Sequence, residues 1–273
     1  MRAKRTLFLL LFAVFFAFSN AHPSVNDEAI LSEKYPIKLS TYQFFDNLAL
    51  QQPKPGVLPY NLITVLFSDY ADKDRFVYVP SAKKAHYVKD SVFDFPVGTA
   101  LIKTFSYSQR INDLDAIKEL IETRLLLRKL DRWETLTYVW NQEQTEAYLK
   151  IGGKTVNTNF TDSTGQNRTV RYRVPNKNQC KECHDRGDSI VPIGPKPRNL
   201  DKDFDYSDQT LNQLVKWSQM SIIDGYPQSV KPVADFTDLS KDIDARARAY
   251  LAINCGHCHS PKGSASSTGL YLH

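Results

Sequence analysis

Apolar positions change their period near residue 175. Before it they fall in short β-branched and aromatic runs: Phe76-Val77-Tyr78-Val79 stopped by Pro80, Ala85 to Val88, and Thr99 to Tyr107 after a turn at Asp94-Phe95-Pro96-Val97-Gly98. Runs of this kind at near-regular spacing predict antiparallel sheet. Upstream, Tyr42, Phe44, Phe45 and Leu48 form a packed opening segment, and Pro53, Pro55, Gly56 and Pro59 punctuate a loop. Asp113 to Leu130 reads both ways, because Leu114, Ile117, Leu120, Ile121 and Leu125 recur at helical spacing. It is divided into a short helical start and a strand from about Ile121, paired with Thr135 to Trp140 through Asp131-Arg132. Tyr148 to Ile151, Gly152-Gly153 and Lys154 to Asn159 suggest a further hairpin. Val170, Tyr172 and Val174 alternate with Arg171 and Arg173, one face buried and one wet.

Beyond Pro175 the period lengthens. Ser207-Asp208 suits the cap of a helix carrying Leu211, Leu214, Val215 and Trp217 and ended by Gly225 and Pro227, and Asp242 to Asn254 reads as a second amphipathic helix. This half carries two C-x-x-C-H motifs, Cys180 to His184 and Cys255 to His259, the spacing of covalent haem attachment. The expected fold class is therefore α+β: a β-rich antiparallel N-terminal domain followed by a mainly helical, cytochrome c-like haem region. The expected divisions are a signal peptide over 1–21, the β-rich domain over 22–175, a first haem module over 176–240 and a second, incomplete one over 241–273.

The signal peptide rests on Arg2, Lys4 and Arg5, an apolar run of 12 residues from Leu7 to Phe18, and a small-residue cleavage site near Ala21. Twelve residues are too few to span a bilayer comfortably, so the mature chain is expected to be periplasmic or secreted without a stable membrane span. Cleavage removes three of the cations behind the formal net charge of +5, which leaves no argument for nucleic-acid binding.

The chemistry lies in Cys180-Lys181-Glu182-Cys183-His184 and Cys255-Gly256-His257-Cys258-His259, two C-x-x-C-H motifs that use all 4 cysteines. In this spacing two thiols add to the vinyl groups of haem and the adjacent imidazole becomes an iron ligand, which predicts two covalently attached haem c groups with His184 and His259 as proximal ligands. A zinc site from two C-x-x-C pairs is the main alternative. It is disfavoured by the 71 residues between the pairs and by the histidine after each. A redox dithiol is the other alternative, but the β-α-β context is missing. Pro195, in Ile193-Gly194-Pro195, is the candidate carbonyl to accept the second N–H of His184. Met220 is the candidate sixth ligand to the first haem, with His86 behind it, and His257 is expected to face solvent. Only 14 residues follow His259, so the second module is expected to be cut short, covered by another polypeptide or ligated by His273, the first being preferred.

Phe67-Ser68-Asp69-Tyr70-Ala71, Phe95-Pro96-Val97-Gly98-Thr99, Ile121 to Leu126, Tyr138-Val139-Trp140-Asn141 and Val174 to Cys180 resemble a family of periplasmic di-haem c-type cytochromes. The resemblance runs from about residue 40 to the end. It implies two haems, a second haem domain that continues past His273, and strand from Ile121 onward; it implies no particular reaction.

Two functions follow. The first is an electron carrier between redox partner proteins, with no catalytic residues of its own. The alternative is a haem-dependent oxidoreductase whose β-rich half binds a small substrate through Asp69, Tyr70, Arg124, Trp140 or Asn141. A docking module that positions the haems on a partner is a weaker third.

Overall fold

The structure, a computed structural model, describes residues 24–108, 118–162, 164–187, 189–225 and 230–272. The signal peptide, Pro227, His273 and the expected helical start before Lys118 lie outside the described residues.

The chain opens with a short helix α1 (Asp27–Leu31) and a small hairpin, β1 (Phe45–Asn47) and β2 (Gln52–Pro53). It then lays down β3 (Val57–Tyr60), β4 (Asp72–Tyr78), the two-residue β5 (Ala85–His86), β6 (Ala100–Ser108), β7 (Lys118–Arg128), β8 (Trp133–Trp140) and β9 (Ala147–Leu149). Six of these make one antiparallel sheet in the order β3-β4-β6-β7-β8-β9. A hairpin of β10 (Lys154–Thr161) and β11 (Asn167–Val174) follows, paired over its whole length.

Because side chains alternate across a strand, each strand of the sheet serves two faces. Phe76 and Tyr78, Ala100 and Ile102, Leu125 and Leu127, and Leu136 and Tyr138 point to a first core, closed by Ile30 of α1 and by Tyr42 and Phe44. Their neighbours point the other way. Val77, Leu101 and Leu126 meet Leu200, Leu214 and Trp217 from the C-terminal part of the chain, while Phe105, Tyr107 and Val139 meet Phe160 and Tyr172 of the β10–β11 hairpin.

After β11 come α2 (Lys177–His184), α3 (Pro197–Leu200), a small hairpin of β12 (Asp203–Asp205) and β13 (Thr210–Asn212), α4 (Gln213–Gln219), β14 (Ile223–Asp224) and α5 (Ile243–Asn254). This corrects the expected mainly helical haem region: the helices are few and short, and the protein is β-rich with antiparallel sheets. Nor does packing divide at residue 175. Trp217 is fully buried against Tyr60 and Phe93, β14 pairs in parallel with β5, and Asn199 holds both backbone groups of Thr64 through its amide at 2.9 and 3.0 Å.

Three local expectations also change. β7 begins at Lys118, three residues before the expected Ile121, because Lys118, Glu119 and Leu120 pair with Ser108, Tyr107 and Ser106 of β6. The Gly152-Gly153 turn does not join β9 to β10 as a hairpin: β9 pairs with β8, and β10 with β11. Gly153 instead adopts φ +72 where a Cβ would come within 2.8 Å of the Val174 carbonyl, a close backbone approach. The helix expected from Ser207-Asp208 begins later, since Leu211 is spent on β13 and Asn212 caps α4 through Leu214 and Val215 N–H groups. Asp208 binds Lys216 at 2.7 Å instead.

Candidate functional site

The first C-x-x-C-H motif lies on α2. Its start is fixed by a capping box, with the Asn176 side chain accepting from Gln179 N–H at 2.9 Å and the Gln179 side chain accepting from Asn176 N–H at 3.0 Å. Lys177 then pins the first turn to β8 by an ion pair to Glu134 at 2.7 Å. Residues at i, i+3 and i+4 share a helix face. Accordingly Cys180, Cys183 and His184 all line one cavity of ≈ 360 Å³ between α2, the second face of the sheet and the Pro192–Pro195 segment. Leu62, Leu66, Leu101, Leu126, Ile193 and Ile253 supply its apolar wall.

Cys180 is only 9% exposed and Cys183 is exposed; neither is in a disulfide. Burial pushes both thiols up from their ordinary value, with Arg124 acting weakly the other way. Thiols held protonated are poor redox nucleophiles, which counts against the dithiol alternative.

His184 is held from both sides of its own backbone. Asp185 and Ile190 pair across a tight turn, Val191 N–H donates to the His184 carbonyl at 2.8 Å, and the imidazole Nδ1 lies 2.7 Å from the Val191 carbonyl. Nδ1 thus carries the proton and donates, leaving the Nε2 lone pair free. Desolvation pulls the imidazole down to about 4 against the Val191 bond, with Lys103, His257 and Arg124 adding to the fall, so it is neutral near pH 7. The carbonyl predicted from Pro195 is therefore that of Val191. The turn returns the chain after seven residues, too soon for Pro195, which lines the same cavity.

The other predicted ligands do not converge there. Met220 is the C-cap of α4, 47% exposed and absent from the cavity wall, because α4 turns Leu214 and Trp217 inward. His86 is exposed on β5. Of the suspected substrate residues only Arg124 reaches the cavity. Tyr70 is 69% exposed, Asp69 offers its carbonyl to the Tyr107 hydroxyl, Trp140 donates to Thr123 in the first core, and Asn141 organises the β8–β9 turn.

The second motif follows α5, with Cys255 as its C-cap. It adjoins the first despite the sequence separation: the His257 and His184 rings are 6.5 Å apart. The expectation that His257 faces solvent is overturned: its Nε2 is buried without a hydrogen-bond partner. His259 Nδ1 lies 3.3 Å from the Thr268 hydroxyl, and the last described residues fold back, Leu272 N–H donating to the His259 carbonyl at 2.9 Å. Cys255, Cys258 and His259 do not line the large cavity. Among the described residues no three or more His, Cys, Asp or Glu side chains converge on one point, so the four cysteines are not gathered as a zinc site.

The face of the sheet under α2 holds a feature the sequence reading missed. Register sets Arg75 opposite Lys103 and Lys103 opposite Arg124 across β4, β6 and β7, with Lys73 two residues from Arg75 on the same face. All four line the cavity. Glu122, fully buried, is engaged by Arg124 and by the Tyr172 hydroxyl at 2.6 Å. The signal available was Lys or Arg at alternate positions of predicted strands, which reads equally as a wet face.

No protein-family description, curated protein or solved structure matches the chain.

Proposed function

We propose that the protein is a c-type cytochrome that holds haem at Cys180, Cys183 and His184 and passes electrons between redox partner proteins outside the cytoplasm. The observation that carries this reading is the joint presentation of two thiols and a neutral imidazole by one helix face to one apolar-walled cavity. Cys180, Cys183 and His184 do not converge on one point as a three-ligand set for a bare metal ion would. A single imidazole suits a macrocycle that brings its own in-plane nitrogens and is tethered through its vinyl groups. Haem bound there supplies reversible one-electron chemistry at iron.

The chain's own residues do the rest. Val191 fixes the His184 tautomer and aims Nε2 away from the backbone; the capping box and the Lys177–Glu134 pair hold α2 to the sheet; leucines and isoleucines exclude water. The second motif supports a second attachment at Cys255 and Cys258, with His259 as ligand, by its sequence, and its place beside the first suits electron exchange between the two. The resemblance to periplasmic di-haem cytochromes and the N-terminal signal pattern support export and the same chemistry.

Expression in a host with periplasmic haem-attachment machinery tests the proposal. The intact mass is expected to exceed that of the cleaved chain by two haems, with Cys180→Ala plus Cys183→Ala removing one. A mature chain of unaltered mass sinks the reading.

A further inference from the structure

The cationic row beneath α2 has no role in attaching haem. Arg75, Lys103 and Arg124 are cross-strand neighbours on one face, where directly opposed side chains stand about 4.5–5.5 Å apart at Cβ and like charges destabilise the sheet. Lys73 adds a fourth basic side chain to the same wall. Their answering acid is largely used up: Arg124 holds Glu122, the Arg75 guanidinium donates to Asn61 Oδ1 at 3.0 Å and to the Lys73 carbonyl at 2.9 Å, and Lys73 donates to the Leu66 carbonyl. Lys103 rests over the Phe105 ring at 5.0 Å and has no ion pair among the described residues. Glu182 also lines the cavity, from the exposed side of α2. Desolvation pushes the Lys73 ammonium down to about 7 and holds Lys103 well below its ordinary value, with Arg75 and Arg124 pushing both the same way, so an empty row sheds protons that an entering carboxylate would restore.

An arrangement that repels itself when empty becomes favourable when an anion enters it. We infer that Lys73, Arg75 and Lys103, with Arg124 behind them, form a carboxylate-binding site in the wall of the cavity. Carboxylates reach it from two sources: the propionate groups of a haem tethered at Cys180 and Cys183, or a small free dicarboxylate. The first source rests on the haem proposal; the site itself does not.

Lys103→Met is the decisive variant, since it removes the one amine of the row with no ion pair among the described residues and keeps the stem over Phe105; with the row empty, its urea midpoint is expected at or above that of the unaltered protein. Lys103→Arg keeps the charge and controls for shape. Two measurements on the purified exported protein separate the sources: a potentiometric titration of the haem and calorimetric titration with succinate. If propionates occupy the row, Lys103→Met lowers the reduction potential by about 59 mV, a tenfold shift in a one-electron equilibrium, and Lys103→Arg restores it. If a free dicarboxylate is the ligand, the potential stays and succinate binds at least tenfold more weakly to Lys103→Met. Succinate binding of that pattern to a protein that carries no haem upholds the row and overturns the haem proposal. A haem-bearing protein whose potential and succinate response both ignore Lys103→Met overturns the inference and leaves the haem proposal standing.

Discussion

Replacing Lys177 by Met tests how α2 is held. The ammonium lies 2.7 Å from Glu134 Oε1 and 5.1 Å from the centre of the Tyr35 ring, and Tyr35 itself donates to the other Glu134 oxygen at 2.7 Å. Glu134 is 8% exposed and Lys177 33%, so the pair is neither a surface contact nor fully desolvated. A charge-assisted hydrogen bond at such a site is worth about 1.5–3 kcal/mol, and the contact with the ring about 0.5–1 kcal/mol more. Arg132, 3.6 Å from the same carboxylate, retains part of the compensation, so the lower half of the summed range, about 2–3 kcal/mol in all, is expected. Burial raises the Glu134 carboxyl, but hydrogen bonds from Lys177 and Tyr35 outweigh it and hold the group below its ordinary value. A carboxyl depressed by folding contributes stability that is present above its unfolded pKa and is lost as pH falls through the folded one. Urea unfolding of both proteins at pH 7 and near pH 2.5 reads this out. The difference is expected in full at pH 7 and to shrink in acid to the contribution of the ring. An equal loss at both pH values, or one under about 0.5 kcal/mol at pH 7, refutes the ion pair as the anchor.

Other expectations are simpler. In a protein that carries haem as proposed, Met220→Leu is expected to leave the absorption bands that report iron ligation unaltered, since Met220 sits away from the cavity; a change in those bands restores it as a ligand. Trp217→Ala costs about 3–5 kcal/mol in urea unfolding, because a fully buried ring between Tyr60 and Phe93 leaves a hole that joins both halves of the chain. Asn199→Leu strands the N–H and C=O of Thr64 and costs about 2–5 kcal/mol by the same assay. Gly256→Ala places a Cβ 1.9 Å from the Leu272 carbonyl and displaces the last described residues, seen as faster hydrogen exchange over 260–272.

The strands of the main sheet were legible because β-branched and aromatic residues at period two describe a sheet whichever face they serve. What covers the second face was not. Leu101-Ile102-Lys103-Thr104-Phe105 gives no sign that Lys103 lies under a helix that starts over seventy residues later. Gly152-Gly153 looks like a hairpin turn, yet Gly153 is demanded by the Val174 carbonyl pressed against it. Ser207-Asp208 and Asn212 are equally good caps, and the choice between them is made by the β12–β13 pairing. The motif Cys180 to His184 was plain, and Asp185, Gly187 and Ser189 mark a turn after it, but nothing in those residues says that the turn returns the Val191 carbonyl to the histidine.

The burial of Cys180 bears on the order of events in making the protein. Its thiol sits beneath α2 against Thr135 and Thr137 of β8, out of reach of any enzyme once those strands are paired. On the proposed haem attachment, the bond at this cysteine would have to form before β8 and α2 close over the thiol. A chain that folded before it was loaded would then be shut out of maturation, so the proposal ties the timing of folding to the making of the site.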